Sequence, residues 1–446
     1  MVQTHLQLDC VCYASLSSMA YAFIVNNCFA KDALFEYTGV VREYIKQAVY
    51  GGRNMTSENK KYYITDEIVD FDACSLYPSA IARLYLPLSS TNRMFHPSEW
   101  YLDEQQFEPT ETKFISYFVV TIEITKVNKI RKMPIIIKKV NGINQYVNEE
   151  TTMTVDSIYL EDLIKYQEIE FKVVQGIYWK GTKVGLFKEK IKEIYRVRKE
   201  MKQSHDPAEI IFKLVMNSSY GKTIQKPIKE EKKFFRGRKK MTSFWRRHLE
   251  DVIVGEQLHG SDVWMVNVKK QIDDFYIPNI IGVLILSMSK RIMNELIYLC
   301  EDLDIDVYYQ DTDSIHIKKK DLLRLEKEFK EKYGRDLVGS ELSQFHSDFP
   351  LLKENHPGQL SKKSYLDVLT NEDGDIDYLI RMKGIPKDVI IGVANEKFEG
   401  DVVALYEYLY AGYPLTFDLS KYGPHFVIER DFRVKTLEEF KRTIKF

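Results

Sequence analysis

Three short segments, in a fixed order along the chain, constrain its fold more than any other feature of the sequence. They are DACSLYPS (Asp72–Ser79), KLVMNSSYG (Lys213–Gly221) and YQDTDS (Tyr309–Ser314). The first and third segments supply carboxylates, whereas the middle one supplies a cation and an aromatic ring. A fold that brings them together would form a site suited to phosphoryl transfer, in which positioned charges neutralise phosphate.

The acidic segment YQDTDS lies within VYYQDTDSIHI, where apolar and polar residues alternate. Alternation at period two predicts two short strands around a tight turn, with Asp311 and Asp313 on the same side. Asp72 follows a similar strand-like stretch, EIVDFD, so a third carboxylate is predicted to reach the same place. Neighbouring carboxylates repel each other unless a cation neutralises them. Oxygen donors from several strands are typical of a site for Mg²⁺, which completes its coordination shell with water and substrate phosphates.

Each segment alone has a plainer interpretation. DTDS is common in solvated turns, SLYPS can mark any strand end before a proline, and KLVMNSSYG can be an ordinary amphipathic helix that ends at its glycine. The agreement of several fixed positions in three places is more specific than any one of them.

The combined pattern resembles motifs A, B and C of the family B DNA polymerases. All defining positions of D-x-x-S-L-Y-P-S, K-x-x-x-N-S-x-Y-G and Y-x-D-T-D-S are present. The resemblance extends from about Tyr50 to the end of the chain, with YGG before motif A, KKSY after motif C and KGIP at Lys383–Pro386. It implies an α+β right-hand polymerase fold, with an antiparallel-sheet palm backed by helices, helical fingers and a mainly helical thumb.

The resemblance implies a metal site in motifs A and C. Asp72 and Asp313 match the carboxylates that bind two Mg²⁺ ions, with Mn²⁺ as the alternative metal. The carbonyl of Ala73 matches a backbone ligand, and Asp311 a more peripheral third carboxylate. These three carboxylates and Lys213 of motif B are the catalytic residues that the resemblance implies.

In motif A, the resemblance also implies contacts with the incoming nucleotide. The backbone amides of Ser75, Leu76 and Tyr77 are expected to face the triphosphate. The ring of Tyr77 corresponds to the steric gate, which lies under the incoming sugar and clashes with a 2′-hydroxyl. A plain core tyrosine is the alternative interpretation.

The residues of motif B are expected on one helix face. Lys213, Asn217 and Tyr220 fall at i, i+4 and i+7, and so share a face that would meet the nucleotide. By resemblance, Lys213 is the proton donor to the leaving pyrophosphate, and Tyr220 packs on the nascent base pair.

A second helix is predicted before motif B. The stretch Leu186–Ser204 consists mainly of helix formers, and HDPAE then breaks the helix at Pro207. Arg198 and Lys202 lie one turn apart on this helix and are expected to bind the triphosphate from the fingers. The alternative is a solvated helix face, which is common for helices rich in Lys and Glu.

Contacts with DNA are expected on both sides of the catalytic motifs. Two consecutive glycines let a backbone approach a phosphate closely. The resemblance implies template contacts at Tyr50, Gly51, Gly52 and Arg53, and primer contacts at Lys362, Lys363 and Tyr365.

The positions of the motifs predict the domain organisation, including a long palm helix at Pro278–Leu303. The predicted regions are a residual N-terminal segment at 1–49, palm at 50–90, an insertion at 91–180, fingers at 181–226, a basic aromatic insertion at 227–275, palm at 276–386 and thumb at 387–446. Because the two insertions and the short fingers resemble those of the protein-primed branch, a terminal protein is an expected partner. Because about fifty residues precede Tyr50, we expect the polymerase region here without a proofreading exonuclease, as a segment of a longer or split product or as a polymerase that lacks proofreading.

Charge is distributed unevenly, although the formal net charge is only -1. Between Leu186 and Arg247, 19 Lys or Arg stand against 7 Asp or Glu, a local balance of +12. At the end of this region, basic residues are interleaved with Phe234, Phe235, Phe244 and Trp245 in the stretch KKFFRGRKKMTSFWRRH. Basic charge beside stacking rings is typical of single-strand or junction binding, and a mobile solvated insertion is the alternative.

The sequence therefore predicts a template-dependent DNA polymerase that uses a DNA template and primer and deoxynucleoside triphosphates. We expect no membrane association and an intracellular location, in the cytoplasm or nucleus of a virus-infected host or in an organelle. The cysteines form no CxxC pair, which indicates a reducing compartment. Two alternatives stay open: a catalytically incomplete DNA-binding fragment of a larger or split polymerase, and the palm of an RNA polymerase or reverse transcriptase.

Overall fold

The computed structural model describes residues 8–13, 15–28, 37–88, 92–95, 115–180, 182–226, 230–258, 260–270, 278–347, 353–359, 361, 363–422, 426–428, 434–436 and 439–446. Lys362, a predicted primer contact, lies outside the described residues, as do parts of the two predicted insertions.

The helices and strands of this part of the chain are mixed along the sequence and often occur in runs of one kind. The helices are α1 Leu16–Cys28, α2 Gly39–Lys46, α3 Leu76–Arg83, α4 Ser157–Gln167, α5 Leu186–Gln203, α6 Glu209–Thr223, α7 Arg238–Arg247, α8 Asn279–Asp302, α9 Leu322–Tyr333, α10 Lys387–Lys397 and α11 Val402–Tyr410. Single 3₁₀ turns lie at Cys10–Cys12, Ser57–Asn59 and Lys319–Asp321.

The strands up to motif C are β1 Asn54–Thr56, β2 Tyr62–Ala73, β3 Leu86–Leu88, β4 Asn92–Phe95, β5 Ile115–Val127, β6 Ile136–Val140, β7 Ile143–Val147, β8 Thr151–Asp156, β9 Ile169–Lys180, β10 Thr182–Val184, β11 Glu230–Arg236, β12 Val252–Gln257 and β13 Val263–Lys269. The later strands are β14 Tyr309–Asp311, β15 Ser314–Lys318, β16 Phe345–Ser347, β17 Lys353–Gln359, β18 Tyr365–Thr370, β19 Ile376–Arg381, β20 Leu415–Asp418, β21 Phe426–Ile428, β22 Val434–Thr436 and β23 Lys441–Ile444.

A central antiparallel sheet carries motifs A and C. Its strand order is β1-β14-β15-β2-β17-β18-β19, and β16 also pairs with β2. Residues 68–71 of β2 are all buried, because this run lies inside the sheet and its apolar residues face the core. The predicted strands on either side of the acidic turn are confirmed as β14 and β15.

The long apolar helix α8 shares the main hydrophobic core with this sheet. It extends over Asn279–Asp302, which confirms the long helix predicted at Pro278–Leu303, and it packs against α2, α3, α4 and α6. Most of its residues are buried, because apolar side chains occur on nearly all of its faces. Within the described part of the chain, no helix is long and apolar enough to cross a membrane.

The two helices predicted for the fingers are confirmed as α5 and α6, with a break at residues 204–208. Helix α1 packs against both of them, and its Phe23 is fully buried in the main core. The described part of region 1–49 is therefore built into the core, where it supports the motif B helix.

The predicted insertions form separate sheets. Between motif A and α5, the strands pair in the order β4-β9-β5-β8, with the hairpin β6-β7 nearby. Between α6 and α8, the sheet β11-β13-β12 and helix α7 enclose a small core of their own. Phe244 is buried in that core and Phe235 and Trp245 are partly buried against it, whereas Phe234 is 60% exposed. Stacking of these rings on bases stays a prediction, with Phe234 the most accessible of them.

The predicted helical end of the chain is also wrong. After α10 and α11, the described residues form strands, and β23 pairs with β20 in the register Thr416↔Thr443. Leu415 and Phe417 of β20 are buried in a second core, against which Ile444 packs. Apolar burial on this sheet outweighs the helix propensity of TLEEFKRTIKF.

Candidate active site

Motif A ends the central strand and begins a helix. β2 ends at Ala73, and α3 begins at Leu76 after Ser75, whose φ of 50° places it in the left-handed region. Asp72 is opposite Ser314 on β15 and opposite His346 on β16. The aspartate is thus fixed between two strands, directly before the N-terminus of α3.

Motif C forms a tight turn beside Asp72. The amide of Asp313 donates to the carbonyl of Asp311 at 2.7 Å, and Thr312 between them has a φ of 62°. The carbonyl of Asp313 accepts a hydrogen bond from the amide of Ala73 at 2.8 Å. This bond ties the turn to the end of motif A, so that Asp72 and Asp313 line the same cleft.

The third carboxylate lies elsewhere. Asp311 accepts hydrogen bonds from the amide nitrogen of Asn54 and from the ammonium of Lys363, which is 2.9 Å from Oδ1 and 3.0 Å from Oδ2. The prediction that Asp311 and Asp313 project to the same side is therefore wrong, because the left-handed Thr312 interrupts the strand alternation. Among the described residues, no three His, Cys, Asp or Glu side chains group closely enough to hold a metal ion.

The cleft above Asp72 and Asp313 has a volume of about 1050 Å³ and brings the three motifs together. Its predicted wall residues are Asp72, Ala73, Ser75, Arg198, Lys202, Lys213, Asn217 and Asp313. Carboxylates lie at its base and cations come from the two helices α5 and α6. This is the charge arrangement that a triphosphate with bound divalent cations requires.

Arg198 links the three elements that surround the cleft. Its Nε donates to Glu209 of α6 at 2.9 Å, and its Nη1 donates to the hydroxyl of Ser75 at 3.1 Å. Lys213, on the neighbouring helix α6, is exposed. The guanidinium is therefore held in place by α6 and motif A, whereas the ammonium of Lys213 is accessible from the cleft.

Two tyrosines from motifs A and B are in contact. The rings of Tyr77 and Tyr220 stack with their centroids 4.0 Å apart. Burial, a hydrogen bond with Tyr220 and the nearby Asp313 raise the pKa of Tyr77 well above its usual value. Leu76, between Ser75 and Tyr77, is buried, so only its backbone can contact a ligand.

The YGG loop packs on the motif C turn. A Cβ at Gly52 would lie 2.6 Å from Cγ2 of Thr312, whereas a Cβ at Gly51 would meet no atom within 4 Å. The amide of Thr312 donates to the carbonyl of Arg53 at 2.8 Å. A glycine is therefore required at position 52 so that the YGG loop can pack against Thr312, whereas the space around Gly51 is open to a ligand. Tyr50 is buried.

The prediction of a template contact through the Arg53 side chain is wrong, because this side chain is only 3% exposed. Its guanidinium donates to Gln310, to Asn294, to the hydroxyl of Tyr298 and to the carbonyls of Met133 and Pro134. These bonds join the YGG loop to the motif C strand and to α8.

The primer-side residues differ in exposure. The side chain of Lys363 is 57% exposed, even though its ammonium contacts Asp311. Tyr365 is 8% exposed, and its ring packs against Tyr309 and His316. Contacts of either residue with DNA stay predictions.

The sequence did not predict His346 on the cleft wall or Asn54 beside Asp311. His346 lines the cleft, and its Nδ1 lies 3.3 Å from the sulfur of Cys74. Burial and the nearby Asp72 raise the pKa of Cys74 to about 11. Neither His346 nor Asn54 lies in a motif with a fixed spacing, and the only signal for Asn54 is its position directly after YGGR.

A family model described as DNA polymerase type B, organellar and viral, matches residues 1–275. A probable DNA polymerase of Ascobolus immersus is 26% identical over 234 residues, which are 51% of this chain and 18% of that protein. Uncharacterized protein 075R of Invertebrate iridescent virus 3 is 31% identical over 125 residues, 28% of this chain and 77% of that protein. The chain thus spans less than a fifth of the Ascobolus relative.

Solved structures of Phi29 DNA polymerase share the fold. The complex with primer-template DNA and incoming nucleotides matches 100% of this chain and 69% of its own, with a TM-score of 0.65 and 16% identity. The binary complex with primer-template DNA gives a TM-score of 0.64 at 17% identity, with the same coverage. The α+β right-hand fold predicted from the motifs is confirmed.

Proposed function

The chain belongs to the organellar and viral type B DNA polymerases, and we propose that it adds deoxynucleotides to the 3′-hydroxyl of a primer as a DNA template directs. The observation that supports this most strongly is the cleft, in which Asp72 and Asp313 lie opposite the cations of α5 and α6. Opposed charges of this kind position a triphosphate and neutralise the charge that develops during its transfer.

The donors at the base of the cleft fit Mg²⁺. Two carboxylates, Asp72 and Asp313, line it together with Ala73, whose carbonyl is the proposed backbone ligand. These are hard oxygen donors, which Mg²⁺ and Mn²⁺ prefer. When bound there, the metal would supply activation of the primer hydroxyl and neutralisation of phosphate charge. We assign Asp311 an indirect role, because Asn54 and Lys363 already hold its carboxylate.

The chain's own groups would bind the triphosphate. The amides of Ser75, Leu76 and Tyr77 lie at the N-terminus of α3, where the helix dipole favours an anion. Arg198 and Lys202 approach the same cleft from α5. The amides and the cations together would bind phosphate oxygens from two sides.

Lys213 is the proposed proton donor to the leaving pyrophosphate. It lies on the cleft wall with Asn217, one turn further along α6. An ammonium at this place both stabilises the negative charge of the leaving group and can transfer a proton to it.

The stacked Tyr77 and Tyr220 are the proposed selection site for the sugar and the base. The stacked rings join motif A to motif B. Tyr77 would lie under the sugar and exclude a 2′-hydroxyl, and Tyr220 would pack on the new base pair.

Template, primer and priming protein are the proposed partners. Gly51 has open space around it and would approach the template backbone, and the exposed Lys363 would contact the primer together with Lys362. We expect a terminal protein at the insertion between motif A and α5, and an intracellular site of action in an infected host or an organelle.

Single-nucleotide incorporation tests this proposal. The purified chain is given four primer-templates that differ in the next template base, with Mg²⁺ and each deoxynucleotide or ribonucleotide in turn. The proposal predicts addition of the complementary deoxynucleotide only. Addition of ribonucleotides at equal efficiency would favour an RNA polymerase, and DNA binding without any addition would favour an incomplete DNA-binding fragment.

A further inference from the structure

A lysine is buried in the middle of α8, behind the catalytic turn. Lys290 is 6% exposed. Its ammonium donates to the carbonyl of Tyr50 at 2.5 Å and to that of Leu286 at 3.2 Å, and it lies 5.5 Å from the ring centre of Tyr159. Burial of a lysine is costly unless its charge is compensated. Two carbonyls and an aromatic face supply that compensation here.

The carbonyl of Tyr50 opens a short series of contacts that leads to the active site. Gly51 and Gly52 follow it, and Gly52 packs against the side chain of Thr312 in the motif C turn. The next residue, Arg53, accepts the amide proton of Thr312 at its carbonyl. Movement at Tyr50 would therefore shift the glycines relative to the turn between Asp311 and Asp313.

Charged groups from three elements face the ammonium. Asp156, at the end of β8, and Asp162, on α4, favour its protonated form, whereas Arg53 opposes it. Burial is the largest cause and lowers the pKa of Lys290 to about 7. Burial also raises the pKa of Asp156, to about 6. Other titratable or charged groups nearby are Tyr50, Tyr159 and Tyr146 of β7, which lines a small cavity with Lys290. On α8 itself, the neighbouring Arg291 pairs with Glu161 and Asp162.

We propose that Lys290 is a positioning residue for the template strand: its buried ammonium fixes the carbonyl of Tyr50 and thereby holds the YGG loop in the conformation that binds template. This rests on the proposed function, because it assigns the YGG loop to the template.

The proposal predicts that protonation of Lys290 strengthens template binding. An ammonium forms a stronger hydrogen bond with a carbonyl than a neutral amine does. Affinity for DNA should therefore decrease as pH rises through about 7, where this group loses its proton. The rate of nucleotide addition at saturating DNA should change much less, because Lys290 contacts neither the cleft nor the carboxylates at its base.

The test is the affinity of the full chain for a labelled primer-template, measured from pH 6 to 8.5 at constant ionic strength, with single-turnover addition at saturating DNA. Lys290→Met removes the donor at nearly the same length and should weaken binding about tenfold at the lowest pH. Lys290→Arg keeps the charge at every pH and should retain the affinity of the parent at low pH without its decrease. Lys327→Met, on the exposed face of α9, should behave like the parent.

Two results would overturn the proposal. One is a folded Lys290→Met protein with the affinity and pH profile of the parent. The other is a Lys290→Arg protein whose affinity decreases with pH as the parent's does, and this arm decides the question if Lys290→Met does not fold. Failure of the proposed function would look different, because the parent would then bind DNA without adding a nucleotide.

Discussion

Tyr77 of motif A and Tyr220 of motif B stack with their ring planes 28° apart and their centroids 4.0 Å apart. Tyr77 belongs to α3, and Tyr220 to α6. The contact therefore joins motif A to motif B beside the place where a nucleotide is proposed to bind.

Tyr77→Ala should weaken discrimination against ribonucleotides. Without the ring, a 2′-hydroxyl meets no steric barrier, and the ratio of kcat/KM for deoxynucleotides over ribonucleotides should fall at least about tenfold. Tyr77→Phe keeps the ring and should keep the ratio. Unchanged discrimination in Tyr77→Ala would refute the role of this ring as the steric gate.

The three acidic residues should differ in importance. Asp72→Asn and Asp313→Asn remove carboxylates from the cleft, and we expect each to lower single-turnover addition by about 1,000-fold or more. Asp311→Asn should cost at least about tenfold less, because Asn54 and Lys363 hold that carboxylate away from the cleft. If Asp311→Asn lowers single-turnover addition as much as Asp72→Asn and Asp313→Asn do, Asp311 does not have the indirect role assigned to it.

Gly52→Ala should damage the active site through the motif C turn. Its Cβ would lie 2.6 Å from Cγ2 of Thr312, so the turn must move. We expect the free energy of unfolding to fall by about 1–3 kcal/mol and nucleotide addition to become slower. Gly51→Ala is the matched control for stability, since its Cβ would meet no atom within 4 Å. Thr312→Ser removes the clashing methyl group and should partly rescue Gly52→Ala, and equal stability of the two alanine variants would contradict the packing.

Lys213→Gln should slow the chemical step and leave DNA binding intact. Loss of a positioned proton donor typically costs about 100-fold or more. The measurement is single-turnover addition at saturating nucleotide, with Lys226→Gln, beyond the end of α6, as the control. A defect in nucleotide KM alone would instead make Lys213 a simple phosphate contact.

Stability should rise with pH because of Lys290. Its pKa of about 7 in the folded protein lies below the ordinary value of 10.5, so the unfolded chain binds more protons between these values. The free energy of unfolding should therefore increase between pH 7 and 9, by about 2 kcal/mol more in the parent than in Lys290→Met. Chemical denaturation at the two pH values measures this difference, and parallel changes in the two proteins would contradict it.

The motifs alone predicted the overall fold and the base of the cleft well. Asp72 and Asp313 are brought together because each follows or precedes a buried strand whose alternation is visible in the sequence. The helices that carry Arg198 and Lys213 were also found, since their periodicity and the break at Pro207 are local signals.

Details that depend on tertiary contacts were not predictable. Thr312 adopts a left-handed backbone conformation, and as a result Asp311 and Asp313 do not project to the same side. No local pattern in the sequence predicts this conformation. Arg53 was predicted to contact template because it follows the two glycines, yet its side chain is buried and donates to the carbonyls of Met133 and Pro134. The strand at Lys441–Ile444 forms because it pairs with β20. The local sequence has a helical pattern and contains no sign of this pairing.

The most direct test of the cleft is Mg²⁺-dependent extension of a labelled primer on a DNA template by the purified chain, with Asp313→Asn and the exposed turn variant Asp373→Asn alongside. We predict template-directed extension by the parent and by Asp373→Asn, and none by Asp313→Asn, although all three bind DNA. Extension by Asp313→Asn at the rate of the parent would contradict the assignment of catalysis to this site.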